Sequence, residues 1–144
     1  CEVTEKMGMT VSTKGRYALR VMTELAMLPA GTPLPLRDIA QKQALSEKYL
    51  EGIVSALVRG GFLEGSRGKG GGYRLTREPK DYTVGSILRL TEGSLAPVSC
   101  LDDRREKCEH SGDCLTYPLW VKLDGVVQDY LNSVTLQDLI TGNI

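Results

Sequence analysis

The sequence is poor in the residues on which most enzymes depend. It holds one histidine, His110, among 144 residues, and no nucleophile–base pair is visible around it. It has four cysteines, one of them at position 1; the other three, Cys100, Cys108 and Cys114, fall within a stretch of fifteen residues. Three thiols are one short of the four that a ferredoxin uses, so an electron carrier is disfavoured with the small enzymes. No run of about 18 apolar residues occurs, so no membrane span is expected. The first residues, CEVTEKMG, lack the apolar core of a signal peptide. The chain starts with cysteine, so residues 1–8 are expected to be a non-native or disordered extension, with Met7 or Met9 as the native start. An odd, clustered set of thiols implies a reducing, cytoplasmic location and metal or thiol chemistry over a disulfide framework.

Net charge is also absent, the 18 basic side chains balancing 18 acidic ones. The balance hides an asymmetry. Residues 1–93 carry fourteen Lys and Arg against ten Asp and Glu, whereas residues 94–144 carry four against eight. A basic half suits a polyanion such as DNA, provided a matching motif accompanies it.

That motif follows from the spacing. Thr13 to Leu28 sets Ala18, Leu19, Met22, Leu25 and Ala26 at helical intervals, with Ser12 or Thr13 as cap and Pro29 and Gly31 as the stop. Lys14, Arg16 and Arg20 lie near its start, within reach of phosphates, although a solvated helix face accounts for them equally well. LRDIAQKQ (36–43) reads as a short second helix with Leu36, Ile39 and Ala40 inward, followed by a turn at Ala44-Leu45. Ser46 then caps a third helix in which Tyr49, Leu50, Ile53, Val54 and Leu57 recur at core spacing, ended by Gly60-Gly61. Two helices and a tight turn make a helix-turn-helix or an ordinary helical hairpin. In the former, the amino end of the second helix enters the major groove, which nominates Ser46, Glu47, Lys48, Tyr49 and Glu51.

The continuation favours DNA. FLEGS (62–66), RGKGGG (67–72) and YRLTR (73–77) read as two short strands around a glycine turn, a wing whose Arg67, Lys69, Arg74 and Arg77 make a positive edge. The glycines do not form a P-loop, since no buried strand leads through them into a helix and no Lys-Ser/Thr follows. TVGSILRLTEG (83–93) predicts a fourth helix with Val84, Ile87, Leu88 and Thr91 inward. Pro118 is suited to open a last long helix with an apolar stripe of Leu119, Leu123, Val126, Val127, Tyr130 and Leu131. Such a stripe is covered by the chain's own core or by a second copy about a two-fold axis; the latter also suits palindromic half-sites. Thr135–Leu139 adds a final helical turn.

The cysteines are spaced C-x7-C-x5-C. Thiolates are soft ligands, so an iron–sulfur cluster, a zinc site and bare redox thiols all fit the spacing. A fourth ligand would come from His110, Glu109, Asp113, Tyr117 or a second subunit.

STKGRYAL (12–19), LSEKYLE (45–51), RGKGGGYRL (67–75), the three cysteines, and the ending CLTYPLW (114–120) with LNSVTLQDL (131–139) together resemble the IscR-type iron–sulfur cluster regulators. Their winged-helix superfamily also contains NsrR and CymR types. The resemblance covers nearly the whole chain from Met9. It implies a homodimeric transcriptional regulator, chiefly a repressor, that carries a 2Fe–2S cluster supplied by the cluster-assembly machinery and controls cluster-biogenesis genes. It further implies that cluster occupancy sets promoter choice, that Cys100, Cys108 and Cys114 are ligands, that Ser46, Lys48 and Glu51 enter the major groove, and that Arg67 enters the minor groove. Glu51 would repel phosphates yet accept a hydrogen bond from a cytosine amino group, which makes it a discriminator between operators. Where the IscR type carries a histidine shortly after the third cysteine, this chain has Tyr117, so the fourth ligand is open between His110 and Tyr117. Gly52 stands where the IscR type has glutamine, which implies a different operator. Arg16 stands where the NsrR type has an acidic cluster ligand, which argues against a 4Fe–4S centre. The CymR type lacks the cysteine cluster and represents the alternative, a cysteine-metabolism or redox repressor working through thiols or a partner protein.

The expected fold is therefore mainly α with a small β-hairpin wing: a winged helix-turn-helix plus a long C-terminal dimerisation helix. Residues 9–93 form the DNA-binding domain, 94–117 the cysteine-rich sensor loop, and 118–144 the dimerisation helix and C-terminal turn. Its expected partners are a double-stranded DNA operator and a second copy of the chain; it is not expected to be an enzyme or to meet a membrane.

Overall fold

A computed structural model describes residues 11–92 and 113–144. In order, the elements are α1 (Thr13–Ala26), α2 (Leu36–Gln43), α3 (Glu47–Arg59), β1 (Leu63–Ser66), β2 (Gly72–Leu75), a 3-10 turn (Pro79–Asp81), α4 (Val84–Glu92), α5 (Tyr117–Ser133) and α6 (Leu136–Thr141). The mainly α fold with a hairpin wing is the one that the spacing predicts. No helix among the described residues is long and apolar enough to cross a membrane.

Local chemistry explains most boundaries. The Ser12 hydroxyl accepts from the Gly15 N–H and caps α1, and the Ser46 hydroxyl accepts from the Tyr49 N–H and caps α3. Between α2 and α3 the chain reverses at Ala44, which sits in the left-handed region at φ 56°, and Leu45 N–H closes back on the Ala40 carbonyl. A left-handed alanine costs roughly 1–2 kcal/mol, so the packing of the two helices must hold it there.

The core is the inner side of α1, α2 and α3, with Ala18, Val21, Met22, Leu25, Ile39, Leu50, Ile53, Val54 and Leu57 buried together. Each large side chain taken from water there contributes roughly 1.5–3 kcal/mol. Tyr49 departs from the expected core pattern. It is 42% exposed, because Leu50, Ile53 and Leu57 define the inward direction of α3 and Tyr49 lies one residue to its side. Leu19 and Thr91, also expected inward, are half-buried; the Thr91 hydroxyl turns back onto the Ile87 carbonyl.

β1 and β2 pair antiparallel, with Leu63 opposite Leu75, Glu64 opposite Arg74, Gly65 opposite Tyr73 and Ser66 opposite Gly72. A second antiparallel bridge joins Tyr73 to Leu34, with N–H to carbonyl distances of 2.9 Å both ways. It ties the wing to the segment that leads into α2. Gly72, at φ 147°, is required at this junction, because a Cβ there would collide with the Leu34 and Pro35 backbone.

The C-terminal segment returns to this core. Leu136 N–H donates to the Tyr82 carbonyl and Val84 N–H to the Val134 carbonyl, so that Leu136 is fully buried beside α1 and the 3-10 turn. Where one helical turn is expected, α6 runs for six residues, closed at its start by a capping box between Thr135 and Asp138. The Thr135 N–H and hydroxyl bonded to Asp138 hold its carboxyl below the usual range. That contribution is complete above the ordinary carboxylate pKa and fades as pH falls through the lower folded value.

At the other end, Glu92 closes α4 by accepting from both the N–H and the hydroxyl of Ser12. Gly15 allows this approach, since a Cβ would strike the Glu92 carboxylate. Helix α5 begins at Tyr117, one residue before the expected Pro118. Its later part docks on α4 through Arg89, which donates to Gln128 at 3.0 Å and to Asn132 at 2.8 Å. No residue of α5 is buried, and Leu119, Val126 and Tyr130 are each 57% exposed.

Tyr82 sits where these pieces meet. Its hydroxyl donates to the Phe62 carbonyl at 2.8 Å and accepts from the N–H groups of Thr76 (2.9 Å) and Arg77 (3.1 Å). Tyr82→Phe keeps the ring and removes the hub. We expect a loss of about 1–3 kcal/mol in urea unfolding, because three backbone groups lose their partner; an unchanged midpoint would mean water replaces the hydroxyl at no cost.

Candidate nucleic-acid interface

The outward side of α3 carries Glu47, Lys48, Glu51, Gly52 and Ser55, all exposed. Ser46, at its cap, uses its oxygen to accept from Tyr49, which leaves the hydroxyl proton available to an outside acceptor. Lys48 and Glu51 have no ion-pair partner among the described residues. The first turn of the helix therefore presents a serine hydroxyl, an ammonium and a carboxylate, together with the partial positive charge of the helix start.

Tyr49 connects this surface to α1. Its ring meets Tyr17 edge to face, with centroids 5.9 Å apart, and the Arg20 guanidinium lies 5.2 Å from the Tyr17 centroid. Arg20 also reaches the carbonyl of Gln43, the last residue of α2, at 3.4 Å. Thus Arg20, one of the three basic residues expected within reach of phosphates, is engaged in joining α1 to α2. Lys14 and Arg16 are exposed. Lys14 precedes Tyr17 by three residues and so shares its face of α1. Glu24 completes the attachment by accepting from the Gln43 side chain at 2.8 Å and pairing with Lys42 at 3.8 Å.

On the wing, four basic residues separate into two kinds. Arg74 lies opposite Glu64 and pairs with it at 3.1 Å. Arg77 lies over Phe62 and Tyr82, at 5.3 and 5.6 Å from their centroids. The expected continuous positive edge is thereby reduced, since Glu64 offsets Arg74 and the aromatic rings occupy Arg77. Arg67 and Lys69, in the turn with the positive-φ Gly68 and Gly70, project as exposed charges.

Of the candidate cluster ligands, Cys100, Cys108 and His110 lie outside the described residues. Cys114 and Tyr117 are described, and they stand together at the start of α5, where Tyr117 N–H donates to the Cys114 carbonyl at 3.2 Å. The Cys114 Sγ lies 3.1 Å from the Thr116 hydroxyl. That contact, assisted by the Thr116 N–H, holds the thiol pKa below its ordinary value. Both residues are half-buried. A half-exposed thiol whose pKa is lowered is a soft sulfur donor of the kind that a metal centre uses.

Neither Tyr17 nor the Ser55 hydroxyl is marked out in the sequence by residue type alone. Tyr17 carried a signal in its spacing, three residues after Lys14 and three before Arg20. Ser55 carried one too, lying seven residues beyond Lys48.

Residues 11–142 match the Rrf2 family model, described as an iron-dependent transcriptional regulator. The HTH-type transcriptional regulator IscR of Vibrio atlanticus (strain LGP32) is 36% identical over 135 residues, which span 94% of this chain and 77% of that one. The HTH-type transcriptional regulator CymR of Bacillus subtilis (strain 168) is 41% identical over 131 residues, spanning 91% of this chain and 89% of that one. Its structure, described as that of the global cysteine regulator, superposes with a TM-score of 0.76 over 92% of this chain and 96% of its own. The structure of T. potens IscR superposes at 0.74 with 34% identity, over 96% of this chain and 90% of that one. The chain belongs to the Rrf2 family of winged-helix transcriptional regulators and is not an enzyme.

Proposed function

We propose that this regulator is a homodimeric repressor in the cytosol that senses iron–sulfur status through a 2Fe–2S cluster and controls cluster-biogenesis genes. The observation that carries the reading is the C-x7-C-x5-C set together with the half-exposed Cys114 at the head of α5. Cys100, Cys108 and Cys114 would hold the cluster, with His110 or Tyr117 as the fourth ligand and the cluster-assembly machinery as donor. When bound, the cluster supplies a group whose presence depends on iron, sulfide and oxygen. Cys114 leads directly into α5, so a constraint on its thiol bears on the helix that we assign to the dimer. A coupling of about 1–3 kcal/mol between cluster and operator would change DNA affinity roughly 5–150-fold.

For the operator we assign Ser46, Lys48, Tyr49 and Glu51 of α3 to the major groove, Arg67 to the minor groove, and Lys14, Arg16 and Lys69 to phosphates. Glu51 would discriminate by accepting from a cytosine amino group and repelling phosphate. The exposed Leu119, Val126 and Tyr130 of α5 support a second copy of the chain as its cover. The 41% identity to CymR favours one alternative, a cysteine-metabolism or redox repressor that acts through its thiols or a partner protein.

Protein purified without oxygen is expected to carry about two irons and two acid-labile sulfides per chain. Cys100→Ala, Cys108→Ala and Cys114→Ala should each lower both. Iron-free protein that still binds DNA would move the reading to the thiol repressor. Sedimentation should give a dimer that Val126→Glu converts to monomer, since the charge falls on an exposed apolar face and not in the core; a dimer that survives would put the interface elsewhere. In operator titrations, Lys69→Ala should lower the slope of log affinity against log salt by about 1. Arg74→Ala should leave that slope nearly unchanged, because Glu64 already offsets its charge. Equal slopes for all three proteins would remove the wing turn from the DNA contact.

A further inference from the structure

The exposed face of α3 continues beyond the residues assigned so far. Lys48, Glu51, Gly52 and Ser55 follow the intervals i, i+3, i+4 and i+7, the same spacing by which a homeodomain helix sets its base-contacting side chains in the major groove. All four are exposed. Seven residues of helix advance about 10 Å, comparable to the roughly 12 Å width of the groove.

Two further observations single out Ser55. Hydroxyls on the helices of this chain generally turn inward on their own backbone. Thr23 donates to the Arg20 carbonyl, Ser86 to Thr83, Thr91 to Ile87, Ser133 to Tyr130 and Thr141 to Gln137, at 2.7–3.2 Å. Ser55 makes no such bond, and its hydroxyl has no partner among the described residues. Beside it, Gly52 has no side chain, and a Cβ built there would meet nothing within 4 Å. Glycine in a helix interior lowers stability relative to alanine, and among the described residues no close packing requires one here.

We propose that Ser55 is a specificity-determining residue that reads a base edge, and that Gly52 is the gap that brings it within reach. Without a side chain at 52, the helix backbone can approach the base edges closely. The short Ser55 side chain, which a bulkier neighbour would hold away, then meets a base as donor or acceptor. This inference rests on the assignment of α3 to the major groove.

The test is selection of duplexes from a random pool with the full chain. Wild type is expected to select a palindromic motif. Ser55→Ala should relax preference at one base pair of each half-site by roughly three- to tenfold. Its other positions and its affinity for non-specific DNA should stay as in wild type. Ser55→Thr, which keeps the hydroxyl, should restore the preference. Gly52→Gln should abolish it, so that adding Ser55→Ala causes no further change. Both positions are exposed, and thermal melts no lower than that of wild type would establish that the variants fold. Wild-type motifs from Ser55→Ala would overturn the role of Ser55. A further loss from Ser55→Ala on top of Gly52→Gln would overturn the role of Gly52. A wild-type chain that selects no motif would overturn the major-groove assignment itself, and with it this inference.

Discussion

A buried tyrosine hydroxyl needs partners, and in this protein that requirement organises the head. Tyr82 is fully buried, and its hydroxyl meets one carbonyl and two N–H groups from the two ends of the wing. Its own carbonyl accepts from Leu136, which brings the C-terminal helix onto the core. Its ring packs edge to face against Phe62, 5.6 Å between centroids, with Arg77 over both. The exit of α3, the base of the wing, the start of α4 and the return of α6 are thus joined at one residue, through its side chain and its carbonyl. Removing such a group from water without these bonds would cost several kcal/mol, so the pieces are arranged together or not at all.

The outer surface inherits that rigidity. The wing is fixed at its base by Tyr82 and at its middle by the Leu34–Tyr73 bridge, which only a glycine at 72 permits. Helix α3 is fixed against α1 by its buried face, and α2 by Arg20 and Glu24. Charges near these joints are consumed in holding the fold, as with Arg20, Arg74 and Arg77. The exposed charges of the α3 face and the wing turn are not engaged in this way, and in our proposal they meet the operator, whose phosphates fix register while base edges carry sequence.

Helix α5 has a different balance. Arg89, Gln128 and Asn132 dock its later part on α4, while a row of apolar side chains faces outward. In the proposed regulator this geometry has a consequence for signalling. Cys114 lies three residues before Tyr117, at the start of α5, and Arg89 joins α5 to α4. The last residue of α4, Glu92, in turn holds the start of α1, which carries Lys14 and Arg16. The backbone of α5 and α4, with these side-chain bonds, therefore links the Cys114 end of α5 to the start of α1.

The sequence by itself determined what depends on near neighbours. Helical spacing, the serine caps at 12 and 46, the reversal after Gln43 and the glycine turn of the wing are set by residues within one or two turns of each other, and all were legible. The Ser46 cap and the exposure of Lys48 and Glu51 on the outer side of α3 follow from the same local spacing. What the Tyr49 ring packs against depends on tertiary packing, because its partner Tyr17 lies 32 residues earlier. Tertiary packing alone decided that Arg74 and Arg77 are already engaged, that Gly72 faces the Leu34 backbone, and that α6 closes the core beside Tyr82. Each of these depends on a partner far along the chain or on the other strand of the wing. Helical or strand spacing reports which residues share a face, but it carries no information about what arrives opposite that face once the chain has folded.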